Sequence, residues 1–330
     1  MNWYPWLNQP YRQIIGQHQT GRGHHALLLH ALPGMGEASL AWGISRWLMC
    51  QRRDGLKSCG TCHACQLMQA HTHPDWYCLQ AEKSTIGVDA IREVTEKLYH
   101  HAQQGGAKIV WIPDAATLTE AAANALLKTL EEPPKNTWFM LGSQQPAQLL
   151  ATLRSRCLSV HLAPPDEGQS LKWLLKQVPV PEPDAITALR LSGGAPAAAE
   201  ELLEEKNWSA RQTLCQALPK ALRQDMLSLL PALNHDNAVQ RTGWLCALLV
   251  DALKWQQGGG QFITNVDQQA LIAEMAQQLP GSALDESVRQ WMICRDRLLK
   301  VVAVNRELLL IDRLLGWEKM LHSASSIQAE

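Results

Sequence analysis

The chain has 330 residues, of which 46% are apolar and 18% are charged, so it can bury large cores and bulk disorder is excluded. Its 30 basic and 31 acidic residues leave a formal net charge of −1, which excludes a global electrostatic attraction to nucleic acid. The N-terminus lacks the charged-then-apolar layout of a signal peptide, and no window approaches about 18 uninterrupted apolar residues. The sequence therefore predicts a cytoplasmic protein.

Short apolar runs alternate with helical patterns through the first half of the chain. The runs that predict strands lie at 26–31, 75–79, 108–112, 137–141 and 158–162. A helix follows the first run, and further helical patterns cover 88–101 and 120–131, the last one stopped by Pro133-Pro134. This rhythm predicts an α/β domain with a parallel sheet covered on both faces.

The second half of the chain is predicted to be helical. A boundary is indicated at Ala163-Pro164-Pro165. A small helical segment follows over 164–207, and it contains the turn Ser192-Gly-Gly-Ala-Pro196. Amphipathic helices then cover 208–330, interrupted by the glycines of 257–261.

The loop after the first strand has the strand–loop–helix context of a phosphate-binding P-loop, whose pattern is Gly-x4-Gly-Lys-Ser/Thr. Laid on the segment that contains Gly34 and Gly36, this pattern puts Glu37 where the lysine belongs and Ala38 where the hydroxyl belongs. At an effective dielectric near 20, like charges about 4 Å apart repel by roughly 4 kcal/mol. The loop is therefore predicted to be a degenerate phosphate loop that binds no nucleotide. The alternative from the loop alone is an ordinary strand-to-helix turn.

The strand at 108–112 supports loss of ATP chemistry. An active ATPase of this kind ends the strand with Asp, for Mg²⁺, and then Glu, for the attacking water. Here the strand is followed by Pro113, which cannot ligate a metal, and by the shorter Asp114. The residues that hold phosphate and the residues that hold the metal are missing together, which favours loss of an ancestral ATP site over a chance resemblance.

Four cysteines fall within sixteen positions and predict a structural zinc site. The ligands are Cys50, Cys59, Cys62 and Cys65. Zn²⁺ accepts four thiolates in tetrahedral geometry, and a closed site of this kind leaves no open position for water. Three histidines nearby could substitute for one ligand: His63, His71 and His73. A redox-active Cys-x-x-Cys pair and a set of free surface thiols are the two competing interpretations of the cluster.

Two segments carry a family resemblance. Asn124-Ala-Leu-Leu-Lys-Thr-Leu-Glu-Glu-Pro-Pro134 and Leu153-Arg-Ser-Arg-Cys157 closely resemble the fingerprint of AAA+ clamp-loader subunits. The degenerate phosphate loop narrows the resemblance to the delta-prime group of bacterial DNA polymerase III, and the opening Trp3-Tyr-Pro-Trp6 is similar to that group as well. In the family's lid, a sensor arginine follows a glycine turn, and this chain has Pro196 at that position.

The resemblance implies three parts: an AAA+ α/β domain over 1–163 with a zinc module inserted at 50–65, a helical lid over 164–207 and a helical collar over 208–330. It implies a ring with delta and three gamma or tau subunits, which opens the sliding clamp and places it on primed DNA. The chain would have no ATPase or polymerase activity of its own, although it would belong to the DNA polymerase III holoenzyme.

The resemblance also assigns a catalytic role in trans to Arg156. In the family, the arginine of the Ser-Arg-Cys motif is a finger that stabilises charge on the phosphoryl group transferred in the neighbouring subunit. Ser155 and Cys157 flank it here, and Arg154 holds a less constrained position. The alternative is an ordinary surface arginine.

Two rival functions differ in class from this prediction. One is an active clamp-loader ATPase of the gamma type, which Glu37, Ala38, Pro113 and Pro196 oppose. The other is a zinc-dependent DNA-binding protein, which the near-zero net charge and the sparse Lys/Arg content around the cysteines oppose.

Overall fold

The computed structural model describes residues 2–81, 84–301 and 305–327, with side chains as far as His322. The chain forms two compact units, Met1–Pro165 and Asp166–Glu330. The division between them falls directly after Pro165, the last residue of the Ala-Pro-Pro segment. Within the part of the chain that is described, no helix is both long enough and apolar enough to span a membrane.

A five-stranded parallel sheet forms the centre of the first unit. Its strands are β1 (Ala26–Ala31), β2 (Trp76–Cys78), β3 (Lys108–Ile112), β4 (Thr137–Ser143) and β5 (Leu158–Leu162), in the order β2-β3-β4-β1-β5. β1 and β3 are almost wholly buried, as expected for central strands with helices on both faces. The predicted α/β P-loop class with a parallel sheet is confirmed. β2 is shorter than predicted, and β4 is two residues longer.

Six helices accompany the sheet: α1 (Asn8–Gln19), α2 (Glu37–Met49), α3 (His63–Gln69), α4 (Val88–Tyr99), α5 (Glu120–Glu131) and α6 (Ala151–Arg154). In α5, the sequence determines where the helix begins, which face is buried and where the helix ends. The Thr119 side chain caps its first turn by accepting a hydrogen bond from the Ala122 amide at 3.2 Å. Ala122, Leu126 and Leu130 lie on one buried face, and Pro133-Pro134 follow the last turn.

The second unit is helical throughout its described residues. Its helices are α7 (Glu167–Gln177), α8 (Glu182–Leu191), α9 (Pro196–Leu202), α10 (Glu205–Arg223), α11 (Leu230–Leu233), α12 (Ala238–Gln256), α13 (Gln269–Gln278), α14 (Gly281–Lys300) and α15 (Arg306–Ile327). The predicted break lies between α12 and α13.

One continuous core holds the second unit together. Buried residues from α7–α9, such as Leu174 and Leu202, belong to the same apolar cluster as Leu214 and Trp291 of the later helices. A polar network joins the same parts, because the Thr187 hydroxyl of α8 donates to Asp267 at 2.9 Å. The division into lid and collar is therefore not a division between separate cores.

The same network contains a buried ion pair. Arg211 of α10 is fully buried, and it donates to both carboxylate oxygens of Asp267 at 2.7 and 2.8 Å. Breaking such a pair from one side leaves an unpaired buried charge, which costs about 3–5 kcal/mol. This pair ties α10 to the segment before α13.

Candidate functional site

The loop between β1 and α2 contains two glycines in a left-handed conformation and leads directly into a helix. Gly34 and Gly36 have φ values of 80° and 85°, in the left-handed region that a residue with a Cβ atom rarely adopts. The Leu40 amide donates to the Gly36 carbonyl at 3.0 Å, which opens α2 directly after the loop. Glu37 and Ala38 therefore occupy the first turn of α2, where the motif would place its lysine and hydroxyl.

Aromatic side chains from the N-terminal segment cover this loop. The rings of Tyr4 and Trp6 are stacked, with centroids 4.7 Å apart and planes 6° from parallel. The indole Nε1 of Trp6 donates to the Met35 carbonyl at 2.8 Å. A Cβ atom on Gly36 would lie 2.6 Å from the ring of Tyr4. Tyr4 thus lies against the loop at the glycine that should approach phosphate.

Sequence reasoning missed this contact, because it used the opening aromatic residues only as a mark of family. Their density in the first six positions was the available signal, since large rings need a surface to pack against. No sequence pattern indicated that these rings pack against the phosphate loop.

The carboxylate that follows β3 caps a turn of its own chain. A carboxylate oxygen of Asp114 accepts a hydrogen bond from the Ala116 amide at 3.0 Å, so this side chain caps the short turn that follows. Pro113 lies against β4, where a Cβ atom on Gly142 would come within 2.1 Å of the Pro113 carbonyl oxygen. At the end of β4, the hydroxyl of Ser143 is buried and has no hydrogen-bond partner among the described residues.

The glycine turn of the second unit contains no arginine at the sensor position. Gly193 and Gly194 have φ values of 63° and 85°, and Pro196 is the first residue of α9. Proline is tolerated there because the first helical residue needs no donor. The position therefore serves to start a helix.

The four predicted cysteines converge on one point. The sulfur atoms of Cys50, Cys59, Cys62 and Cys65 all lie within 4.8 Å of one another. The Cys59 and Cys65 sulfurs are 4.0 Å apart, close to the roughly 3.8 Å edge of a tetrahedron of thiolates around zinc. Cys50 follows the last residue of α2, and Cys62 precedes α3, so two helices anchor the cluster. The cluster could hold a metal ion.

Backbone amides prepare part of this cluster for negative charge. Hydrogen bonds from the backbone at Thr61 and Cys62 lower the pKa of the Cys59 thiol to about 5. The Cys62 amide lies 3.3 Å from the Cys59 sulfur, and the Cys59 amide lies 3.2 Å from the Cys50 sulfur. Burial, followed by the hydrogen bond with Cys62, raises the pKa of the Cys65 thiol to about 12. Full ionisation of four sulfurs at this spacing calls for a cation among them.

The histidines considered as substitute ligands have different contacts. His71 stacks on Trp42, with ring centroids 4.5 Å apart. The Nδ1 atom of His73 accepts a hydrogen bond from the Asp75 amide at 3.2 Å. None of the three, His63 included, belongs to the cluster of potential ligand atoms found in the described residues.

Arg156 follows α6 and is tied to its own chain. Its Nε donates to a carboxylate oxygen of Glu131 at 2.7 Å, and one terminal nitrogen also contacts that oxygen. The second terminal nitrogen donates to the Thr152 carbonyl at 2.7 Å. The side chain retains 28% exposure. Its neighbours differ: Ser155 is exposed and donates to the Thr152 carbonyl, whereas burial raises the pKa of the Cys157 thiol to about 11.

Three features together define a degenerate AAA+ subunit. They are a parallel sheet in this strand order, a phosphate loop that lacks the lysine and the hydroxyl, and a helical second unit. Family models narrow this class. They match residues 6–166 as DNA polymerase III, delta subunit, residues 165–204 as the AAA+ ATPase lid domain of DNA polymerase III subunit delta', and residues 205–319 as DNA polymerase III, delta subunit, C terminal. The chain belongs to the DNA polymerase III delta' family.

Similar proteins support this assignment along the whole chain. DNA polymerase III subunit delta' of Yersinia pestis is 58% identical, with 98% of each chain covered. Subunit delta' of Escherichia coli is 53% identical, with 97% of each chain covered. DNA polymerase III subunit tau of Escherichia coli is 28% identical over 71% of this chain and 38% of its own length.

Proposed function

We propose that this chain is a non-hydrolysing subunit of the DNA polymerase III clamp loader, which completes the ring and donates Arg156 to the ATP site of its neighbour. One observation carries the proposal. The chain has the strand, glycine loop and helix of a phosphate-loop protein in that order, while Glu37 and Ala38 stand where the motif has the side chains that hold phosphate and metal. It also keeps an arginine in the family's Ser-Arg-Cys motif.

The absence of nucleotide chemistry in this chain rests on three local arrangements. Glu37 would put a carboxylate beside phosphate, and Tyr4 packs against Gly36. The carboxylate of Asp114 accepts a backbone hydrogen bond in the turn after β3. Each arrangement alone weakens binding of Mg²⁺-ATP, and the motif positions at 37 and 38 supply neither the positive charge for phosphate nor the hydroxyl for Mg²⁺.

We propose zinc as the metal of the cysteine cluster, held by Cys50, Cys59, Cys62 and Cys65. Four sulfurs with near-tetrahedral spacing select a soft, tetrahedral ion over the octahedral oxygen site that magnesium or calcium prefers. A bound zinc ion would neutralise charge on the thiolates and cross-link the end of α2 to α3. Its role would be structural, because all four positions are filled by protein.

The proposed role of Arg156 requires a change of partner. In the chain as described, Glu131 and the Thr152 carbonyl hold the guanidinium. The ion pair is partly exposed, so solvent screening limits it to about 1 kcal/mol or less. A neighbour's γ-phosphate carries more negative charge than one carboxylate and can compete for the planar fork. Glu131 would then act as a rest position for the finger.

The ring-forming surface is proposed to lie in the collar, 208–330, with the lid at 164–207. The family models that match 165–204 and 205–319 support these two parts. Large apolar side chains on the last two long helices support a protein contact, since they are unusually exposed: Met292 at 49%, Leu299 at 64% and Leu308 at 62%. The partners would be gamma or tau and delta, with the sliding clamp and primed DNA reached through the assembled loader. The setting would be the cytoplasm, which keeps thiols reduced.

Calorimetric titration of the isolated chain with Mg²⁺-ATP tests the central distinction from a gamma-type ATPase. The proposal predicts no saturable binding. A micromolar dissociation constant, or hydrolysis by the isolated chain, would assign it to the ATPase class instead.

A further inference from the structure

A cavity of 410 Å³ in the first unit has a lining that includes neither the glycines of the phosphate loop, nor the four clustered cysteines, nor Arg156. α1, α2 and the loop at 56–58 form its walls, and Trp3 from the N-terminal segment lies at its edge. Nothing in the proposed function uses this cavity. Its lining combines aromatic rings with positive charge.

The aromatic wall is held in place by its own polar atoms. The rings of Trp3 and Tyr11 meet edge to face, with centroids 5.3 Å apart and planes at 86°. The Trp3 indole donates to Asn8 at 2.9 Å. A Cβ atom on Gly43 would lie 2.8 Å from the Trp3 ring, so a glycine on α2 makes room for the indole. Trp3 nevertheless retains 43% exposure, which leaves ring surface for a ligand.

Three cations line the cavity without a counter-ion. Arg12 comes from α1, Arg46 from α2, and Lys57 from the loop between the cysteines. Of the described residues that line the cavity, none is acidic, and none of the three cations forms an ion pair within the described part of the chain. The Nε atom of Arg46 is buried and lacks a hydrogen-bond partner there. A buried donor left unpaired is unfavourable, and an anionic ligand would supply the missing acceptor.

The loop that carries Lys57 is fixed against both helices. The Tyr11 hydroxyl donates to the Leu56 carbonyl at 2.8 Å. Gln19 of α1 and Trp47 of α2 both donate to the Gly55 carbonyl, at 2.8 and 3.0 Å. Burial raises the pKa of Tyr11, and the positive charge of Arg46 partly offsets that rise. The three cations therefore surround a built cavity and do not lie on independent surfaces.

We propose that this cavity binds single-stranded DNA, with Arg12, Arg46 and Lys57 contacting phosphates and Trp3 stacking on one base. Cations that follow the backbone together with an exposed ring are the usual elements of single-strand binding. A duplex would hide the base faces from Trp3. A peptide carboxylate would use the cations but leave the indole face without a partner. The proposal concerns the chain itself and does not depend on its place in a ring.

The test is fluorescence anisotropy of labelled oligo(dT) titrated with the full chain across a series of salt concentrations. Each phosphate contact contributes about 0.7 to the slope of log affinity against log salt for a single strand. The triple variant Arg12→Ser, Arg46→Ser, Lys57→Ser should therefore lose about 2 from that slope. Trp3→Ala should weaken binding at least about fivefold while leaving the slope unchanged, because stacking releases no counterions.

A matched control removes three exposed cations from the same unit but outside the cavity: Arg22→Ser, Arg92→Ser and Lys135→Ser. Its salt slope should stay closer to that of the unchanged chain than the slope of the cavity variant does. Circular dichroism of each variant checks that the fold is kept, and Trp3→Ala provides a second reading if the triple variant is unstable. Equal slopes for the cavity and control variants would overturn the proposal. The proposal would also be overturned if the chain bound poly-glutamate but not oligo(dT), and if the cavity variant weakened that poly-glutamate binding.

Discussion

Replacing Arg156 with alanine separates a donated catalytic group from a structural ion pair. The side chain contacts Glu131 and the Thr152 carbonyl, and both it and Glu131 are partly exposed. Its loss should therefore cost about 1 kcal/mol or less in folding free energy. An arginine finger, in contrast, contributes about 10³–10⁵ in rate in well-studied GTPases. The substitution should therefore lower the ATPase rate by orders of magnitude if Arg156 is a finger, and should leave that rate almost unchanged if it is only a structural ion pair.

The assay is the DNA- and clamp-stimulated ATPase of a reconstituted loader in which only the site next to this chain can hydrolyse ATP. Arg156→Ala should lower turnover at that site by about 10³ while leaving ring assembly intact. In a loader with all sites active the loss would be partial, because the remaining sites take their arginines from different subunits. Arg156→Lys should rescue poorly, since an ammonium cannot reproduce the planar fork.

Glu131→Ala is the matched control, because it breaks the same ion pair from the opposite side and leaves the guanidinium in place. It should retain turnover, as should Arg154→Ala, whose side chain forms no ion pair or hydrogen bond in the described part of the chain. Normal single-site turnover in assembled Arg156→Ala rings would refute the donated finger. Equal losses in Arg156→Ala and Glu131→Ala would refute it too, because the ion pair would then be what matters.

Three further outcomes are expected. Glu37→Lys should not give ATP binding in calorimetry, because Ala38 still supplies no hydroxyl for Mg²⁺ and Tyr4 still packs on the loop. Metal analysis should find one zinc per chain, and Cys62→Ser should lose both the zinc and thermal stability. The control Cys78→Ser should retain the zinc, because its thiol lies outside the cluster. Full zinc occupancy after each single ligand substitution would contradict the ligand set. The fragment 1–165 should melt cooperatively by circular dichroism, since its core lies within the first unit, but should not enter the ring.

Features written as contiguous motifs could be predicted from the sequence. Glu37 and Pro113 each follow an apolar strand at a fixed offset, so the replacement of these two motif residues could be identified without coordinates. The cysteine cluster could also be predicted, because Cys59, Cys62 and Cys65 are each separated by only two residues and so lie close together in the chain. The strand pattern predicted the sheet for a related reason, since buried parallel strands are continuous apolar runs.

Features that depend on side chains far apart in the chain could not be predicted. Glu131 and Arg156 are separated by 25 positions, and no local rule indicates that they pair. The packing of Tyr4 on Gly36 likewise depends on where the N-terminal segment lies against the loop. The low density of basic residues around the cysteines argued against nucleic-acid binding, yet the fold brings Lys57 to the same cavity as cations from two helices.

The helical half shows a third kind of limit. The glycine turn at 192–196 and the pattern beyond 208 suggested separate lid and collar segments. The structure joins them through one core and through the bond from Thr187 to Asp267. Amphipathic periodicity identifies a buried face, but it does not identify which helices share that face.

The central claim, a non-hydrolysing subunit that completes a clamp-loader ring, is tested most directly by native mass spectrometry of this chain mixed with delta and gamma or tau. We expect a ring that contains one copy of this chain and that fails to form without it. A chain that stays monomeric in the presence of those partners, or that assembles into a ring of its own with ATPase activity, would contradict this claim.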